Sequence, residues 1–78
     1  SNYGKIADTI ARITSVRPGN YFAFFPSFDF MNQVADRCQL PFAEVIRQQR
    51  DMTRDDIAAV LERLRVTSTP AVIFAVQG

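Results

Sequence analysis

The 78-residue sequence predicts an α/β fold in three layers, a parallel sheet of three strands with helices on both faces. Three observations lead there. Apolar residues recur at three- and four-residue spacing in three separate stretches, as they do on one face of a helix. Two short runs, "YFAFF" and "AVIFAV", are apolar at every position, the mark of strands covered on both sides. Helical and extended stretches alternate along the chain, which is the order that parallel crossover units require.

The first helix runs from about Tyr3 to Ser15, with Tyr3, Ile6, Ile10 and Ile13 on one face and Ala7 between them. Arg17-Pro18-Gly19-Asn20 breaks it. In the strand Tyr21 to Phe25, Tyr21, Ala23 and Phe25 point one way, and Phe22 and Phe24 the other. The phenylalanines are therefore expected to fill two core layers at once. Pro26 has no N–H for the ladder and ends the run. Ser27 is an N-cap for a helix from Phe28 to about Cys38, with Asp29 in the first turn, where a carboxylate suits the helix dipole. Its apolar stripe is Phe28 or Met31 with Val34, Ala35 and Cys38, and Leu40-Pro41 closes it.

Within Phe42 to Gln48, Val45 and Ile46 favour a strand but Glu44 and Arg47 interrupt them, so a short edge strand is expected. Thr53 caps a third helix, and Asp55 and Asp56 lie near its positive end. Ile57, Val60, Leu61 and Leu64 make that helix amphipathic to about Arg65. Thr67-Ser68-Thr69-Pro70 is a connector, and Ala71 to Val76 reads as an interior strand. No repeat, low-complexity tract or linker interrupts the chain.

Composition removes several function classes. Apolar residues are 47% of the chain and charged residues 22%, a globular balance. Cys38 has no cysteine partner and there is no histidine, so neither an intramolecular disulfide nor a Cys/His metal spacing exists. A net charge of +1 gives no strong overall field to steer nucleic acid. Eight of the nine basic residues are arginine, which suits bidentate phosphate contacts, although codon usage in a GC-rich genome produces the same bias. No apolar run approaches the ~20 residues of a membrane span, and no signal peptide is visible, so the bacterial or nuclear interior is the default setting, and the bacterial cytoplasm is the one expected.

With the second strand at an edge and the other two interior, the simplest sheet order is 2-1-3, with the phenylalanine strand in the middle. Right-handed crossovers then send the two connecting helices to opposite faces. The crevice between the first and third strands becomes the expected ligand site, with Pro26-Ser27 on one side and Gln77-Gly78 on the other. Ser27 opens a helix whose free N–H groups can receive a phosphate; the plainer alternative is that it is an N-cap and nothing more. The last strand would lie at an open edge. Further sheet beyond Gly78, or edge-to-edge self-association, is expected there.

"RPGNYFAFFPSFDFMNQVADRC" resembles the motif IV region of the XPD/DinG-type superfamily 2 DNA helicases: a Pro-Gly-Asn turn, an aromatic strand, then Phe-Pro-Ser, an aromatic residue and a helix. "VIRQQRDMTRDDIAAVLERLR" is similar to the segment that follows, and "PAVIFAVQG" to the strand that enters motif V. The likeness runs from about position 15 to 78. It implies that positions 1–78 are part of the second RecA-like lobe, without the rest of motif V and motif VI. It further implies single-stranded DNA and the other motor lobe as partners, and a setting such as DNA repair. Carried over residue by residue, it points to Pro26, Ser27 and Phe28 as nucleic-acid contacts, and more weakly to Gln48 and Arg50; for Arg50 an exposed loop charge is the alternative.

The departures matter as much. There is no Gly-x-x-x-x-Gly-Lys-Ser/Thr phosphate loop and no acidic magnesium motif. ATP and Mg2+ are therefore expected to act in the parent protein without being held by this chain alone. An iron–sulfur cluster, where the family has one, belongs to the other lobe, and Cys38 reads as a small apolar stripe residue. By itself the chain is expected to be inactive as an ATP hydrolase. Two other readings stand beside the helicase lobe. One is a small α/β protein-interaction or regulatory module without catalysis. The other is a small enzyme using Asp29 or Glu44, although no second catalytic group is paired with either in the sequence.

Overall fold

A computed structural model of the chain describes residues 2–77. Among these residues the elements follow the expected alternation: α1 (Asn2–Val16), β1 (Asn20–Phe25), α2 (Phe28–Arg37), β2 (Glu44–Arg47), α3 (Arg54–Thr67) and β3 (Ala71–Val76). The two N-caps are those the sequence specifies. Ser27 Oγ accepts from Phe30 N at 3.1 Å at the start of α2. Thr53 opens α3 with a reciprocal capping box: its Oγ1 accepts from Asp56 N, and its own N–H donates to Asp56 Oδ2 at 2.8 Å. α3 ends on Ser68 in the left-handed region at φ 55°, with its N–H returned to Arg65 and Leu64 carbonyls.

The three strands are parallel, in the order β1-β3-β2. The fold class is the expected one: helices lie on both faces of the sheet. α1 and α2 cover the side carrying Val72 and Phe74, and α3 covers the side carrying Ala71 and Ile73. The centre of the sheet corrects the 2-1-3 expectation, because β3 and not β1 lies in the middle. From Tyr21 onward β1 is an unbroken aromatic and aliphatic run, as β3 is, so such a run does not by itself mark the central strand. The β1-to-β2 and β2-to-β3 crossovers still run in opposite directions, so right-handedness still puts α2 and α3 on opposite faces. β3 takes the buried place, with Ala71 to Ala75 all at or below 3% exposure.

β1 is also less enclosed than its all-apolar run predicts. β1 is covered on one face only. Phe25 is buried and stacks on Phe74 at 5.5 Å, and the aromatic contacts continue from Phe25 to Phe30 and from Phe30, edge to face, to Tyr3. This chain of rings ties β3, β1, α2 and α1 together. Phe22 and Phe24 stack on each other at 5.7 Å on the opposite face, where they remain 43% and 58% exposed. α3 packs over β2 and β3 through Leu64, Val60 and Leu61 and leaves that part of β1 open. The open sheet edge of interest is thus that of β1, not β3. In α1, Ala7 is buried as expected and Ile13 is not, while Thr14 turns inward with its hydroxyl donated to the Ile10 carbonyl at 2.8 Å.

Candidate nucleic-acid interface

The carboxyl ends of the three strands form one rim. Pro26 and Ser27 leave β1 there, Gln48 to Thr53 leave β2, and Gln77 leaves β3 with its N–H donated to the Phe25 carbonyl at 2.9 Å. Gly78, expected beside Gln77, lies outside the described residues. Because β3 is central, the loops after β1 and β2 face each other across its end. The crevice therefore differs from the one expected between the first and third strands alone.

Of the anticipated residues, the structure brings three together. Phe28, Gln48 and Arg50 line one cleft of about 540 Å³. The Arg50 guanidinium lies 4.4 Å above the Phe28 ring, a cation–π contact between segments 22 positions apart. Ser27 is exposed at the lip of the same helix, and Pro26 is exposed at the end of the strand; neither lines the cleft.

The rest of the α2 terminus follows from helix geometry. Phe30 N is taken by Ser27 Oγ and Met31 N by the Ser27 carbonyl, so the Phe28 and Asp29 N–H groups have no partner among the described residues. They are two oriented donors that can meet an anion. Asp29 and Asp51 also border the cleft and oppose negative charge within it.

Gln48 has a structural task besides. The parallel ladder would have its carbonyl accept from Val76, but the chain bends away after β2. Its side-chain Oε1 accepts from Val76 N instead, at 2.8 Å, while Gln48 N donates to the Phe74 carbonyl. Its Nε2 stays free of protein partners among the described residues.

Asn32 and Gln49 are cleft residues that the reading of the sequence missed. Asn32 lies one helical turn after Phe28, a spacing that puts both on one face of α2 and carried enough signal to find it. Asn32 Oδ1 and Asp36 both receive Arg47, at 3.1 and 2.9 Å, fastening α2 to β2 beside the cleft. Cys38 stands apart from all of this. It caps α2 and packs partly buried against the core, and burial first, then the charge of Asp8, pushes its thiol pKa up.

The residues do not fit an iron–sulfur centre. One cysteine and no histidine cannot ligate a cluster, and among the described residues no three Cys, Asp or Glu side chains converge on a point. No helix among them is long and apolar enough to cross a membrane.

No curated protein and no solved structure matches the chain. The sequence model of the helicase C-terminal domain matches residues 10–78, a span that holds all three strands, α2, α3 and the whole cleft, and the chain belongs to that family.

Proposed function

We propose that this chain is part of the second motor lobe of an ATP-dependent DNA helicase of the XPD/DinG type, in the bacterial cytoplasm, and that its strand-end rim contacts single-stranded DNA. One observation carries the reading beyond the family. Two segments singled out separately, Phe28 and Gln48 with Arg50, meet in one cleft beside the exposed N-terminus of α2. The Phe28 and Asp29 N–H groups and the Arg50 charge suit a backbone phosphate at the lip. ATP hydrolysis is assigned to residues outside this chain, because phosphoryl transfer needs a phosphate cradle, a metal and charge stabilisers together.

The test is binding of a labelled single strand to the full-length protein over a range of salt. The logarithm of affinity should fall linearly with the logarithm of salt, by about 0.7 in slope for each phosphate that the protein neutralises. Arg50→Ala is expected to weaken binding about 5- to 10-fold, in line with the removal of one cation–π or charge-assisted interaction. Unchanged affinity in Ser27→Ala, Gln48→Ala and Arg50→Ala alike would refute the proposed interface.

The alternative of an α/β interaction module has one observation in its favour, the open Phe22–Phe24 face of β1. A protein that carries this chain, binds no single strand, and retains a protein partner only while Phe22 and Phe24 are intact would favour that reading.

A further inference from the structure

The cleft itself is badly suited to phosphate. Its charged lining is one guanidinium, Arg50, against two carboxylates, Asp29 and Asp51. The neutral groups tell the same story once internal bonds are set aside. Asn32 Oδ1 and Gln48 Oε1 are occupied by Arg47 and by Val76 N, which leaves both side-chain NH2 groups as donors. Gln49 Nε2 donates to the Arg47 carbonyl, which leaves its Oε1 as an acceptor. The wall therefore presents both donors and acceptors, whereas a phosphate presents only acceptors and negative charge.

A nucleobase has the opposite chemistry. It is uncharged, it offers donors and acceptors along its edge, and its faces stack on arginine planes and aromatic rings. We propose that this cleft receives one unpaired base of the bound strand, stacked against Arg50 where it lies over Phe28, while the neighbouring phosphate sits at the α2 N-terminus. The proposal rests on the single-strand reading above and adds what the site recognises. The volume of about 540 Å³ has room for a base with its sugar. Guanine fits best. Its N1–H and N2–H2 lie side by side and match the paired oxygens of a carboxylate such as Asp29, and its O6 matches the free amide donors of Gln48 or Asn32.

The experiment uses the full-length protein and three single strands of equal length at one salt concentration: fully abasic, all thymine, and thymine alternating with guanine. The guanine strand is expected to bind about 10-fold more tightly than the abasic strand, with thymine between them. Arg50→Lys keeps the charge and loses the planar surface, so it should weaken the base-bearing strands more than the abasic strand and shrink the gap between them. Asp29→Asn should remove the preference for guanine over thymine and keep the abasic penalty. Equal, salt-sensitive binding of all three strands would overturn the base pocket and leave the phosphate contact standing. So would an Arg50→Lys protein that keeps the full gap. Absence of binding to any strand would remove the single-strand reading and this proposal together.

Discussion

At Ser27, fold and proposed function share one hydroxyl, and two substitutions separate them. The side chain caps α2 through Phe30 N, so Ser27→Ala should lower stability by about 1 kcal/mol, read as a shift in the urea midpoint. Aspartate caps a helix as well as serine does but brings a negative charge to the place where a phosphate is proposed. Ser27→Asp should hold the midpoint and weaken single-strand binding more than Ser27→Ala does. Equal DNA affinity in wild type and Ser27→Asp would mark the residue as a cap alone. Cys38 gives a residue-scale prediction of its own. Its thiol pKa is raised, chiefly by burial, so the folded protein holds the proton more tightly than the unfolded chain. The folded state is therefore favoured by this group below the thiol pKa of the unfolded chain, and that contribution falls away as pH rises through it toward the higher folded value. Thiol labelling at mildly alkaline pH should be slower in the native protein than in urea; equal rates would contradict the packing described.

Gln48 matters at the scale of the element. β2 is four residues long, and its pairing to β3 is prolonged by a side-chain oxygen standing in for a main-chain one. Gln48→Ala leaves the part-buried Val76 N–H without a partner, which costs about 1–3 kcal/mol where water cannot reach it. Hydrogen exchange at Val76 should speed up markedly, while exchange at Val72, inside the ladder and away from the substitution, should change only as much as global stability does. Unaltered protection at Val76 would show that the Gln48 side chain is not what shields that amide. The same substitution also removes one proposed donor to DNA, so binding data for it need this exchange measurement beside them.

For the whole molecule, the open flank of β1 is the main consequence of the fold. The outward backbone groups of a lateral strand meet an exposed pair of stacked phenylalanines, a surface that isolated domains usually cover. The chain alone is expected to self-associate as its concentration rises, and Phe22→Thr with Phe24→Thr should suppress this in sedimentation. A monomer at all concentrations, in wild type and variant alike, would mean that the flank is self-sufficient.

How much of this was legible beforehand depends on the residue in question. Ser27 and Thr53 mark their helices through local hydrogen-bonding chemistry, so both caps could be read from their neighbours. Leu64 and Val34 were legible from spacing alone, because a helix repeats every three to four residues whatever it packs on. Phe22 and Phe24 were misjudged for the complementary reason. An all-apolar run shows that a strand can be buried on both faces, but not which of two such strands will be, and only the assembled sheet put β3 in the centre. The resemblance marked Phe28 and Arg50 separately, and their contact arises because β3 brings the loops after β1 and β2 to one rim. Sequence alone thus determined the elements, the capped starts of α2 and α3 and the three-layer class, since these depend on interactions within a few residues, while α3 runs to Thr67, past the expected end near Arg65. Tertiary structure decided which strand was enclosed, which face stayed open and which side chains share the cleft, since those follow from the competition of distant segments for the same neighbours.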